Sequence, residues 1–146
     1  MGNLGLALLK SFEGCELTAY TCSAGVLTLG FGSTGPHVKP GMTITEAEAE
    51  ALLKQDLTRF EKAVVDLISV PLDSSEFDAC VSLSFNIGTG AFGESTFRKR
   101  INAGEDKATC FREEFPKWCK GSNGPLPGLV RRREAEVRLA VEGIFP

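Results

Sequence analysis

The hydrophobic pattern changes period twice along the chain. Residues 4–13 read as a short amphipathic helix that breaks at Gly14. From Tyr20 to Pro40 that period is lost, and Val26, Thr28, Phe31 and Thr34 are interspersed with Gly25, Gly30, Gly32 and Gly35. Such a pattern suits a small twisted sheet with tight turns. Helical spacing returns at Thr45, which with Glu48 makes a capping-box pattern, and runs through Ala49, Leu52, Leu53, Leu57, Phe60, Val64 and Leu67 to Pro71.

The second half reads as helices. Asp73 with Glu76 starts one that carries Phe77, Cys80, Val81 and Phe85 on a face and stops near Gly88. Ser95 caps a shorter one ending at Gly104, residues 105–115 follow, Pro116 interrupts, and a last helix runs from about Gly128 to Gly143 after Pro125 and Pro127. No repeat, low-complexity tract or linker divides the chain. The order predicts an α+β fold in one domain, 1–146, with a small antiparallel sheet and a mostly helical remainder.

Composition narrows the function classes. The chain has 146 residues, 42% of them apolar, and a net charge of -3, enough for one ordinary core. Residues 1–75 carry 5 basic and 9 acidic side chains and residues 76–146 carry 11 and 10, with Arg131, Arg132 and Arg133 together, a mild asymmetry that gives no special reason to expect nucleic acid. We expect the arginines on a solvated, charge-laced helix face, at least two of them in water. No stretch approaches the run of about 20 apolar residues that a spanning helix needs, and Leu4 to Leu9 is too short for a signal peptide. The chain as it stands reads as soluble, without an export signal.

Cys15, Cys22, Cys80, Cys110 and Cys119 are many cysteines for a cytosolic protein, and their spacing lacks the paired ligands of a zinc site. An oxidising compartment fits better. Cys80 reads as a core residue, and Cys110 and Cys119 are close enough to staple the chain near Trp118. With His37 the only histidine, neither a His-dependent triad nor a multi-histidine metal site has much to work with. We expect no metal and no organic cofactor.

Glu13 ends the first helix and precedes the glycine-rich turns, where a general acid would be useful, although a helix-end glutamate is most often a surface residue. The wider motif changes that balance. Glu13-Gly14, Leu17, Ala19, Tyr20, Cys22, Gly25, Thr28 and Gly30-Phe31-Gly32-Ser33-Thr34-Gly35 resemble the N-terminal signature of the phage lysozymes, glycoside hydrolase family 24. Leu83 to Gly88, then Gly90, Phe92, Ser95 and Thr96, then Phe115-Pro116 and Trp118, and finally Leu126 to Glu134 extend the resemblance over nearly the whole chain.

The resemblance implies a two-lobed, monomeric muramidase of bacterial peptidoglycan. It implies a small lobe over about 14–45, a linking helix over about 45–68 and a helical lobe over about 73–146 that takes in helix 4–13. The β-1,4 bond between N-acetylmuramic acid and N-acetylglucosamine would be cut in a cleft, with Glu13 protonating the leaving oxygen. Cys22 and Thr28 would hold a water on the opposite sugar face, so that the anomeric centre inverts. It also implies synthesis in the cytoplasm of an infected bacterium, action in the periplasm and host lysis. Tyr20, Phe92 and Trp118, and less directly Phe97, are candidate sugar contacts, though aromatic residues more often fill cores. One of the three arginines is implied as a partner for Glu13.

Two positions depart from the family pattern. Cys22 stands where most relatives have Asp, and a thiol with an ordinary pKa of about 8.5 is mostly neutral at pH 7. Ser33 stands where many have His. Cysteine at position 22 also occurs among signal-arrest-release endolysins, which can pair it with a cysteine at the place of Cys15. The resemblance therefore implies a Cys15–Cys22 disulfide that blocks the site until thiol exchange frees Cys22; two independent free thiols are the alternative. Three other functions stay open: a lytic transglycosylase on the same fold, a catalytically inactive wall-binding module, and Cys22 as a covalent nucleophile.

Overall fold

The structure is a computed structural model, and it describes residues 1–121 and 123–146. The chain divides into two compact units, one of residues 10–59 and one of residues 1–9 with 60–146. The helices α1 (Asn3–Glu13) and α2 (Glu46–Leu67) each contribute residues to both units.

The smaller unit is built on an antiparallel pair, β1 (Glu16–Thr21) and β2 (Leu27–Gly30). The pair begins earlier than the glycine-rich stretch suggests, because Glu16 already lies opposite Gly30. Tyr20 faces Thr28 and Thr21 faces Leu27, with a shift in register between Glu16 and Tyr20. On its other edge β1 meets residues 42–44: Ala19 N–H donates to the Met42 carbonyl at 2.8 Å and Ile44 N–H to the Leu17 carbonyl at 2.9 Å. Leu29, Phe31, Val38, Ile44, Ala49, Leu53 and Leu57 form the core of this unit. Gly30 shows why glycine is needed there: its φ is +65°, and a Cβ would come within 3.3 Å of the Ala49 methyl.

The expected capping boxes are formed. Thr45 Oγ1 accepts from Glu48 N–H at 3.2 Å while Glu48 accepts from Thr45 N–H at 3.1 Å, which starts α2. Asp73 and Glu76 do the same for α3 (Ser74–Ile87).

Beyond α3 come α4 (Thr89–Glu94), α5 (Thr96–Asn102), α6 (Lys107–Glu114) and a 3-10 turn at Phe115–Lys117. A short pair follows, β3 (Lys120–Gly121) with β4 (Gly124–Pro125), and then α7 (Pro127–Glu142). Ser95 caps α5 by accepting from Arg98 N–H. Pro116 lies in the 3-10 turn, and Pro127 takes the first helical position of α7, where its missing N–H costs no bond. The sequence pattern did not mark α4 or the β3–β4 pair.

The core of the larger unit is aromatic. Phe92, Phe97, Phe111 and Phe115 have no exposed surface, and Phe97 has Phe92, Phe111 and Phe115 around it at centroid distances of 4.9 to 6.1 Å. Such pairs add about 0.5–1.5 kcal/mol each beyond burial. Phe92 and Phe97 are therefore core residues and not sugar platforms, a correction to the expectation that they contact sugar. Arg132 and Arg133 are corrected too: they are 4% and 1% exposed, not solvated. Cys80 is buried in the core as expected. All five cysteines are free thiols, so the Cys110–Cys119 staple is absent and Cys15 and Cys22 are unbonded in this structure.

Candidate active site

Glu13 is the last residue of α1. Gly14, at φ +70°, turns the chain out of the helix while its N–H still donates to the Lys10 carbonyl at 3.2 Å. The Glu13 side chain is part-exposed and points toward the turn after β2: a Cβ on Gly32 would lie 3.8 Å from Glu13 Oε2. Gly32 itself sits at φ +91°, a conformation that side chains with a Cβ rarely adopt. The acid thus looks onto bare backbone.

Cys22 and Thr28 are brought together by the register of the β1–β2 hairpin. Cys22 N–H donates to the Val26 carbonyl at 2.9 Å, leaving Ser23, Ala24 and Gly25 as a three-residue loop. Gly25, at φ +80°, supplies the left-handed residue that this loop type requires. Side chains alternate across a strand, so Tyr20 and Cys22 project to the same face, and Tyr20 shares a cross-strand pair with Thr28. Thr28 is 5% exposed, Cys22 is half-buried and Tyr20 is exposed.

The hairpin loop also tunes the thiol. Backbone N–H groups of Val26, foremost, and of Ala24 bond the Cys22 sulfur, as does the Thr28 hydroxyl. Against the opposing cost of desolvation they hold the Cys22 pKa below the ordinary thiol value. Thr28 Oγ1 also donates to the Val26 carbonyl at 3.0 Å. One hydroxyl proton serves both neighbours, so Thr28 can turn from carbonyl to sulfur as the sulfur gains charge. Cys15, just before β1, is exposed and its pKa is shifted the other way, by desolvation first and then by the charges of Glu46 and Glu16, against Lys10.

The smaller unit therefore holds Glu13, Cys15, Tyr20, Cys22 and Thr28. Phe92 and Trp118 belong to the other unit. Trp118 is half-buried on a cavity of about 440 Å³ that it shares with Asn86, Ile87, Lys117, Lys120 and Leu129. Among the described residues no group of three or more His, Cys, Asp or Glu is placed to hold a metal ion, and no helix is long and apolar enough to cross a membrane.

One polar contact escaped the sequence reading. Ser33 is 2% exposed, and its hydroxyl is bonded to His37 Nε2 at 2.9 Å. The His37 imidazole thus reaches that turn from four residues on. A serine and a histidine at this separation in a glycine-rich loop are the only signal in the sequence, and a weak one.

These features coincide with similarity to known proteins. The family model described as Phage lysozyme matches residues 10–136. The chain is 43% identical over 139 residues to an endolysin of Acyrthosiphon pisum secondary endosymbiont phage 1, covering 92% of this chain and 93% of that protein. It is 36% identical over 135 residues to a SAR-endolysin of bacteriophage PS119, covering 92% of this chain and 76% of the relative. Among solved structures, an endolysin from Escherichia coli O157:H7 phage FAHEc1 superposes with a TM-score of 0.87 at 38% identity, over 99% of this chain and 95% of that one. With its helical and small-sheet architecture and a family match that spans most of its length, the chain belongs to the phage lysozyme family.

Proposed function

We propose that the chain is a muramidase that hydrolyses the β-1,4 bond between N-acetylmuramic acid and N-acetylglucosamine in bacterial peptidoglycan, acting as a monomer in host lysis. Glu13 donates its proton to the departing glycosidic oxygen as positive charge develops on the sugar ring. A water held by Cys22 and Thr28 adds to the anomeric carbon from the opposite face and passes its proton to the surrounding solvent, which returns one to Glu13, so the products carry one added water and an inverted centre. The observation that carries this reading is the placement of Cys22 and Thr28 on one hairpin face in the same compact unit as a carboxyl that looks onto bare glycine backbone. The loop N–H groups favour charge on the Cys22 sulfur, which shifts the thiol toward the role a carboxylate would play at that position. Of the candidate sugar-contacting aromatic residues, Tyr20 and Trp118 are those left with surface.

Regulation follows from the two thiols. Exchange of Cys15 and Cys22 with an external disulfide forms a Cys15–Cys22 bond and releases the external partner as a dithiol. The sulfur is then tied up and the water loses its anchor. Both thiols have exposed surface in the structure, which is the free-thiol form. Site of action would be the cell wall, reached from the periplasm.

The test is wall hydrolysis by the native chain and by Glu13→Gln, each with and without reductant. Loss of a general acid costs about 10²- to 10⁴-fold. The native chain should clear a wall suspension, more strongly after reduction if it was oxidised, and Glu13→Gln should be lower by that factor in both conditions. Equal rates for the two chains would end the assignment of the acid.

A further inference from the structure

We propose that His37 is a positioning residue for the acid, acting through Ser33 on the turn that faces Glu13. The inference rests on Glu13 being the acid, and it adds a part of the machinery that the sequence pattern does not mark.

The turn in question is short and rich in glycine. Leu29 and Ser33 exchange two backbone hydrogen bonds, of 2.9 and 2.8 Å, and so close a loop of Gly30, Phe31 and Gly32. Two of its three residues are glycines at φ +65° and +91°. Glycine reaches such conformations at no steric cost, but it also leaves the backbone least restrained. The loop is the element that Glu13 meets, through Gly32.

Two anchors restrain it. The first is Phe31, a buried ring with the Lys10 ammonium 5.8 Å from its centroid. Lys10 lies one helical turn before Glu13 on α1 and is itself held by Glu50 at 2.8 Å. The second is Ser33, the closing residue, whose buried hydroxyl is bonded to His37 Nε2.

The imidazole is exposed on one side and lies against backbone on the other. A Cβ on Gly35 would lie 3.3 Å from both His37 Cε1 and Nδ1, so the ring rests against bare backbone. Val38 N–H donates to the Gly35 carbonyl at 3.0 Å and closes the bend that carries His37. The path from imidazole to acid therefore runs through one side-chain hydrogen bond and one backbone pair, all within residues 13–38.

A residue of this kind sets the geometry of the reacting groups more than the affinity for substrate. Misplacement of a catalytic group by about 1 Å can cost about 100-fold in rate. His37→Ala should lower kcat for wall hydrolysis by about 10- to 100-fold with KM little changed. His37→Gln, whose amide can reach Ser33 Oγ, should recover most of the loss. The His37→Ala/Ser33→Ala pair should be no slower than the slower single variant, because both remove the same bond. Should His37→Ala not fold, His37→Leu against His37→Gln carries the same comparison.

Unchanged kcat in His37→Ala or His37→Leu, a loss confined to KM, or losses that multiply in the double variant would each overturn the proposal. Glu13→Gln measured alongside separates the two readings. If Glu13→Gln is inert and the His37 variants are fully active, only the positioning role falls; if Glu13→Gln is active, the acid assignment falls first.

Discussion

Two thiols flank β1 and meet opposite surroundings. Cys22 receives N–H donors from its own hairpin loop, which favour the thiolate, whereas Cys15 loses solvent and faces Glu46 and Glu16, which disfavour it. The thiolate is the reactive form, so the pH at which each residue becomes alkylated reports this difference directly. With iodoacetamide and peptide mass spectrometry, the Cys22 rate should rise at a pH below that of an ordinary thiol, and the Cys15 rate at a pH above it. The reverse order would remove the ground for treating Cys22 as a substitute for a carboxylate. The pairing of Cys22 with Thr28 came from the family motif and not from the hydrophobic pattern, which does not fix the register of so short a hairpin. The tuning of the sulfur was legible in neither, because its donors are backbone N–H groups that no letter of the sequence encodes. Phe92 was misread for a related reason: an aromatic residue at a motif position looks the same whether its ring meets a sugar or packs among other phenylalanines.

At the scale of elements, helix starts were the clearest signals. Asp73 accepts from Glu76 N–H at 2.8 Å, Glu76 accepts from Asp73 N–H at 2.9 Å, and two donors at the start of α3 are satisfied at once. Glu76 is mostly buried and also accepts from Lys107 Nζ at 2.9 Å, so it keeps a partner if Asp73 is lost. Asp73→Ala should therefore cost about 1 kcal/mol, the usual value for a cap, and not the larger penalty of a stranded buried charge. Urea denaturation checks this, and a loss above about 3 kcal/mol would mean that Glu76 depends on Asp73 for more than the cap. Thr45, Asp73, Ser95 and Pro127 were readable because a cap is a local event within four residues. The six residues of α4 and the two-residue strands β3 and β4 are too short to establish any period, and tertiary packing decides them.

At the scale of the whole molecule, the most extensive helix pair is α3 with α7, and it encloses charge. Glu136 has no exposed surface and lies 3.3 Å from Arg132 Nε and 2.9 Å from Arg133 Nε, and it accepts a short hydrogen bond from the Ser82 hydroxyl. Arg133 also donates to Asn86 Oδ1 at 2.7 Å. Three consecutive arginines read as a surface because sequence shows their charge and not the partner one turn further along the helix. Magnitudes separate this cluster from the ion pairs outside it. Arg138 and Glu142, also on α7, are both exposed, and such a pair contributes about 0–1 kcal/mol. Removing one partner of a buried pair costs about 3–5 kcal/mol, since the remaining charge stays in a medium that solvates it poorly. Glu136→Ala removes the carboxylate that the buried Arg132 and Arg133 share, whereas Glu142→Ala leaves Arg138 in water. In chemical denaturation the first should lose about 3–5 kcal/mol and the second less than about 1 kcal/mol. Similar losses in the two variants would show that solvent reaches the cluster and that packing of the apolar residues alone joins α7 to α3.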